Sequence, residues 1–387
     1  MSNLGLVLSG GGARGAYQAG VIAAIADIAS HQGLSDPFNI FTGVSAGSIN
    51  ATILASHTES FLQSAQYLAK LWGQITTDDV FYVDLMTLSR GGFAWITDLS
   101  KIKGNKRESP VHSLFSTIPL RSLINQTCQY ENISKKIDAG KIRGLSVSAL
   151  DYENISTKTF FQGADDIRAW SRPMHRSEAC EISSEHVMAS AAIPLLFPPI
   201  KVGNSYFGDG CIRNQSPCSP AIYMGAERFI AIGVRRRQDT WFSYHHPEMG
   251  EAPSIARIIN VIFHSMMMDG IEQDLQRIAQ TNQHVALLHD TSRNKLKARE
   301  VGFLWISPSV DCSKLASQKG RKLPNMIRYL LSGAGSLNES SELVSFLLFE
   351  PSYCKQLIEI GYTDGIKEKD QIIRLLDPDS HFRSEVA

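Results

Sequence analysis

Short apolar runs and longer helical patterns alternate along the first half of the chain. Leu4 to Leu8 is a continuous apolar run closed by glycines, and Ala16 to Ala29 then places apolar residues at helical spacing. The same succession returns where Phe38 to Thr42 runs through Gly43, Val44, Ser45, Ala46 and Gly47 into the apolar stretch Ile49 to Ala55. Further strands are expected at Leu145 to Leu150, Thr157 to Phe161 and Phe229 to Val234, with helical patterns between them. Such alternation predicts an α/β fold, with a mixed or mainly parallel sheet flanked by helices. After about residue 252 the pattern is mainly helical, so an α/β part followed by a helical C-terminal region over 252–387 is expected. Apolar helices such as Leu343 to Phe349 need a partner surface, so that region is expected to pack on the first. The polar stretch Ser100 to Ser109 and the Arg-, His- and Pro-rich stretch Arg235 to Gly250 read as exposed loops.

Charge narrows the choice of partner. Lys plus Arg equals Asp plus Glu at 38 each over 387 residues, so no global field draws in nucleic acid or an anionic membrane. The six cysteines form neither a C-x-x-C pair nor a His/Cys cluster with zinc-ligand spacing, which favours a reduced, metal-free, cytoplasmic protein. The apolar N-terminus lacks a basic n-region and is interrupted by Gly10, Gly11, Gly12 and Arg14, unlike a signal peptide. No window reaches the roughly 18 uncharged apolar residues of a spanning helix.

Two turns carry candidate chemistry. Gly43, Ser45 and Gly47 satisfy G-x-S-x-G between a strand-like and a helix-like run, where a tight turn forces a serine hydroxyl outward. Gly10, Gly11, Gly12, Ala13, Arg14 and Gly15 satisfy G-x-G-x-x-G, which raises a dinucleotide-binding alternative. That alternative wants an acidic residue ending the second strand, where Thr42 and Gly43 stand instead, and Asp27 falls inside the first helix. Consecutive glycines also leave backbone N–H groups bare enough to hold an oxyanion, as an acyl hydrolase requires beside its serine.

A serine needs a partner to take its proton. None of the eleven histidines sits in a comparable glycine-framed turn: His186 starts a predicted helix, and His245 and His246 lie in the long loop. Asp209, within Tyr206, Phe207, Gly208, Asp209, Gly210 and Cys211, follows an aromatic strand and is held between glycines. Spacing alone leaves it equally readable as an Asp-Gly hairpin turn.

These blocks, in this order, resemble the patatin-like phospholipase family over roughly residues 4–235. Gly10 to Gly15 is similar to its oxyanion-hole signature, Gly43 to Gly47 to its nucleophile elbow, and Asp209-Gly210 to the acidic half of its Ser/Asp dyad. The segment Ala189, Ser190, Ala191, Ala192, Ile193, Pro194 with Phe197, Pro198, Pro199 resembles the block that precedes the aspartate. Cys211 departs from the pattern, since the family usually carries Gly or Ala there. The remainder resembles the C-terminal helical extension of some bacterial members. The resemblance implies a phospholipase A or lysophospholipase in which Ser45 attacks the ester and Asp209 receives or orients its proton. It further implies that backbone N–H groups of Gly11, Gly12 and Ala13 hold the oxyanion, that Arg14 anchors or polarises that loop, and that no metal or cofactor is used.

The implied partners are a phospholipid or other lipid ester and the surface that presents it, with no role for nucleic acid. The candidates for peripheral membrane contact are Trp241, Phe242 and Tyr244 beside Arg235, Arg236 and Arg237, and Ile258 to Met268; solvated arginines with core-covering aromatics is the favoured reading of the first, and core packing that of the second. The competing reading is a noncatalytic lipid- or nucleotide-binding protein built on the glycine-rich loop.

Overall fold

The computed structural model describes residues 3–83, 113–237, 270–296, 298–319 and 341–378, together with Val261. The stretch 100–109, the aromatics Trp241, Phe242 and Tyr244, and Ile258 to Met268 apart from Val261 lie outside the described residues.

The apolar runs become the centre of one sheet. Five strands lie side by side and parallel in the order β12 (Gly302–Ile306), β11 (Arg228–Ile232), β1 (Leu4–Leu8), β2 (Ile40–Val44) and β5 (Gly144–Asp151). Strands β1, β2, β5 and β11 are buried along their whole length; β1 accordingly reads as an unbroken apolar run, while β5 alternates apolar residues with the buried Ser146 and Ser148. On the far side of β5 the sheet turns mixed: β6 (Ser156–Gly163) is antiparallel to β5, β8 (His175–Ala179) is parallel to β6, and β7 (Ser171–Arg172) closes the edge. A separate two-stranded ribbon joins β3 (Tyr82–Val83) to β4 (Phe115–Ser116).

Helices cover the sheet. α1 (Gly15–His31) follows β1, α2 (Ala46–Ser56) follows β2, and α3 (Phe61–Gln74) starts at a capping box in which Ser60 and Gln63 satisfy each other's backbone N–H groups. α1 is apolar nearly all round because it is enclosed: its outer side meets the helix Pro351–Lys367, with Gly20 under the carbonyl of Ile358 and Gly361 under that of Tyr17. The region after 252 is mainly helical among its described residues, and it also supplies β12 to the main sheet. Residues Phe229 to Ile232 form the strand expected there, while Gly233 and Val234 have already left it.

Two strands share one edge of β5, and this arrangement builds the site. β2 pairs in parallel with the first half of β5, up to Val44 opposite Ser148. β10 (Ser205–Asp209), paired on its other side with β9 (Ile200–Val202), runs antiparallel along the second half, with Asp209 opposite Ala149. Because β6 occupies the whole opposite edge of β5, the two shorter strands meet head to head. Their meeting ends are Val44, leading to Ser45, and Asp209.

Candidate active site

The turn after β2 holds Ser45 at φ 53° and ψ −128°, a backbone conformation that a side-chain-bearing residue seldom adopts and that turns the hydroxyl out of the strand. The flanking glycines are required by space. A Cβ at Gly43 would stand 2.2 Å from the Gly47 carbonyl oxygen, and one at Gly47 would stand 2.3 Å from that of Leu8.

The Ser45 hydroxyl donates to Oδ2 of Asp209 at 2.6 Å. Both side chains are buried, Ser45 at 2% exposure and Asp209 at 0%. The other carboxylate oxygen, Oδ1, accepts the backbone N–H of Cys211 at 2.9 Å. Burial pushes the Asp209 carboxyl up to about 6, against the hydrogen bonds from Ser45 and Cys211 that favour its charged form. A buried carboxylate poised in that range accepts and returns a proton near neutral pH.

The backbone of this pair is held by a single segment. Ser190 ends the helix Ser184–Ser190; its hydroxyl accepts the N–H of Ser45 at 2.9 Å and donates to the carbonyl of Ser148 at 2.6 Å. Two residues on, the carbonyl of Ala192 accepts the N–H of Asp209 at 2.8 Å. Periodicity gave Ser190 no role; its signal was the small-residue block Ala189 to Pro194 standing ahead of Asp209.

The glycine loop lies beside the serine. Gly12 to Arg14 forms a 3-10 turn that runs into α1, so the N–H groups of Gly11, Gly12 and Ala13 precede any helical carbonyl that could accept them. Among the described residues, none of the three donates to a backbone carbonyl outside that turn. Gly12 adopts φ 53°, and a Cβ there would lie 2.2 Å from the carbonyl oxygen of Phe346. Gly10 is crowded too, with Cys211 Sγ 2.0 Å and Ser45 Cβ 2.8 Å from the position a Cβ would take. Neither glycine leaves the open crevice in which a dinucleotide pyrophosphate would sit.

Arg14 points away from the serine. Its Nε donates to Ser345 Oγ at 2.9 Å, a terminal nitrogen pairs with Glu342 at 2.5 Å, and the guanidinium lies 4.5 Å from the ring centroid of Phe346. Burial works against its charge, and Glu342 together with Cys312 and Tyr353 reverses that penalty, leaving its pKa raised. Of the two roles expected for Arg14, anchoring is the one its geometry serves. The buried histidines face other groups: His57 faces the Thr127 carbonyl, and His175 faces the Thr159 hydroxyl and is pushed by burial down to about 4.

Ser45 borders a narrow apolar cleft, partly open to solvent. Gly12, Ala46, Ile49 and Leu71 line it with Trp72, Val80, Leu120, Ile193, Phe197 and Phe349. Among the described residues no group of three or more His, Cys, Asp or Glu side chains is arranged to hold a metal ion. None of their helices is long and apolar enough to cross a membrane.

A family profile described as patatin-like phospholipase matches residues 6–222, more than half of the chain. The chain belongs to the patatin-like phospholipase family. Members of this family are lipid acyl hydrolases, and the mixed, mainly parallel sheet with its flanking helices is the patatin fold. No curated protein matched the sequence. Among solved structures, VipD from Legionella pneumophila is 14% identical over 99% of this chain and 72% of its own, with a TM-score of 0.37. ExoU from the type III secretion system of Pseudomonas aeruginosa, solved in complex with SpcU, is 17% identical over 43% of this chain and 33% of its own, with a TM-score of 0.21. A second structure of that complex gives 12% identity over 88% of this chain and 67% of its own, at a TM-score of 0.29. The patatin-like profile ends ahead of β11, so β12, Glu342, Ser345 and Phe349 all come from outside it.

Proposed function

We propose that this patatin-like protein is a serine acyl hydrolase of phospholipase A or lysophospholipase type, with Ser45 as nucleophile and Asp209 as its base. The observation that carries the reading is the 2.6 Å hydrogen bond from the Ser45 hydroxyl to a fully buried carboxylate at the head of an apolar cleft.

In the first half-reaction Ser45 Oγ attacks the ester carbonyl carbon while its proton passes to Asp209 Oδ2. The carbonyl oxygen becomes an oxyanion and is held by N–H groups of Gly11, Gly12 and Ala13; removing one such donor typically costs about a hundred- to a thousand-fold in rate. Collapse expels the alcohol or lysolipid, which takes the proton back from Asp209 and leaves an acyl ester on Ser45. In the second half-reaction water attacks that ester and gives its proton to Asp209. Collapse then releases the fatty acid and returns the proton to Ser45. The chemistry closes with no metal or cofactor in any step.

Contact with a lipid surface belongs to the same reading. Ile118 is 63% exposed and Leu195 61%, and they stand within two residues of the cleft-lining Leu120, Ile193 and Phe197. The backbone N–H of Leu114 donates to the Leu195 carbonyl, which brings the two segments together. A cytoplasmic site of action is part of the same proposal.

A lipid-like fluorophosphonate tests the reading directly. Labelling that maps to Ser45, vanishes in Ser45→Ala and drops sharply in Asp209→Asn is the expected result. Well-folded wild type that takes no label would overturn it in favour of a noncatalytic lipid-binding protein. Thermal stabilisation by NAD would favour nucleotide binding instead.

A further inference from the structure

The cleft beside Ser45 has a wall that comes from the far end of the chain. Phe349 follows the helix Ser341–Leu347, is 7% exposed, and lines the cleft together with residues of the patatin-like domain. Its ring stacks on Trp72, with centroids 6.4 Å apart and planes inclined by 19°, and meets the edge of Phe81 at 6.1 Å. Phe81 in turn contacts Phe197, a further wall residue, at 5.5 Å. Trp72 is fixed from behind, since its indole N–H donates to Asn50 Oδ1 at 2.8 Å. The aromatic wall is thus rigid on the α3 side and completed by one C-terminal ring.

The position of Phe349 is fixed as firmly. The helix that leads to it is fastened to the glycine loop by the Arg14 pair with Glu342, the Arg14 bonds to Ser345 and the cation–π contact with Phe346. The carbonyl of Phe346 sits against Gly12, and that of Phe349 accepts the Thr77 hydroxyl at 3.2 Å. A ring held at both ends of its segment acts as a fixed stop rather than as loose packing.

We propose that Phe349 is the residue that sets acyl-chain length: it ends the chain-binding cleft, so that the C-terminal segment selects the substrate. This rests on the acyl-hydrolase reading above. An alkyl chain entering the cleft from Ser45 buries apolar surface with each methylene, and a methylene that reaches the packed ring of Phe349 must displace packed atoms. Hydrophobic pockets discriminate by one methylene at about ten- to two-hundred-fold, which bounds what one such ring can contribute.

The test is kcat/KM for soluble nitrophenyl esters running from acetate through butyrate, octanoate and laurate to palmitate. Phe349→Ala is expected to raise the laurate-to-butyrate ratio by about tenfold or more, and Phe349→Trp to lower it. Phe349→Leu, which keeps a buried apolar side chain, is expected to move the ratio as alanine does by a smaller factor, and so covers the case in which alanine melts. Leu348→Ala, a buried neighbour outside the cleft lining, controls for loss of packing and is expected to leave the ratio unmoved. A ratio that stays within about twofold in all three Phe349 variants while wild type hydrolyses the esters overturns the inference alone. Wild type that neither cleaves an ester nor takes the fluorophosphonate overturns the acyl-hydrolase reading as well.

Discussion

The hydroxyl of Ser190 accepts the backbone N–H of Ser45 at 2.9 Å, tying the strained elbow to β5 through the carbonyl of Ser148. Ser190→Ala leaves that buried N–H without its acceptor, a loss of about 1–3 kcal/mol. Urea melts are expected to show destabilisation of that size. The kcat for a soluble ester should fall more than KM rises, because the change displaces the nucleophile and leaves the cleft intact.

In the proposed mechanism Asp209 must be ionised to accept the serine proton, and burial holds its carboxyl up at about 6. The pH profile of kcat/KM is therefore expected to rise with pH through an acid limb near that value and then level off. A limb near the ordinary carboxylate range, below about 4.5, would show that a different group controls the rate.

The same raised pKa makes Asp209 a cost to the fold, with a sign that can be worked out. Its pKa is about 6 in the native state against 3.8 when unperturbed, so the native state binds the proton more tightly than the unfolded chain. The penalty is absent below about 3.8, grows as pH rises, and is complete above about 6, where it reaches on the order of 3 kcal/mol. Asp209→Asn can keep the acceptor for Cys211 N–H through its amide oxygen and removes the charge. We expect it to be inactive and to melt above wild type at about pH 8, with the gap closing towards about pH 4. Calorimetry at the two pH values decides the matter.

Removing Arg14 strips the glycine loop of its anchor and leaves Glu342, whose side chain is 22% exposed, without its cation. Arg14→Ala is expected to cost about 3 kcal/mol, the low end for breaking a buried pair because Glu342 retains some contact with water. Glu342→Gln keeps an acceptor for the guanidinium and should cost less. Both should lower kcat for every ester in the series, and because the same pair fastens the helix leading to Phe349, Arg14→Ala should also blunt the chain-length preference, Glu342→Gln less so.

If Ile118 and Leu195 meet a lipid surface, Ile118→Glu with Leu195→Glu should weaken cosedimentation with phosphatidylcholine vesicles while sparing hydrolysis of a soluble butyrate ester. Both side chains are more than 60% exposed, so neither change should alter Tm appreciably. Unchanged vesicle binding would assign the contact to other residues, Trp241 and Phe242 first.

Local signals made the two glycine-framed turns legible, because a strand ending in a turn and restarting as a helix changes its apolar period within a few residues. β1 and β2 could be located from their apolar runs, and α1 and α2 from helical spacing. The partnership of Ser45 with Asp209 was not visible locally: it depends on β2 and β10 meeting end to end along β5, a matter of register between strands distant in sequence. Resemblance to a family supplied that link where spacing left a hairpin turn equally open. β12 escaped notice for a different reason. Its five residues, Gly-Phe-Leu-Trp-Ile, stand among helical patterns, and a single short apolar run does not distinguish a strand from a buried helix. The contacts of Arg14 with Glu342 and Ser345 carry no pattern at all, since each partner is an ordinary helix residue.

Arg14 and Ser345 are 331 positions apart, and this separation bears on when the protein becomes competent during its synthesis. A nascent chain released as far as residue 222 already carries Ser45 and Asp209, but neither the anchor for the glycine loop nor the ring that closes the cleft. Closing so long a loop comes at an entropic cost that is offset only once the C-terminal helices can pack on α1. A site assembled in that order is complete only after residues 341–349 have been made, whatever its first half has already folded into.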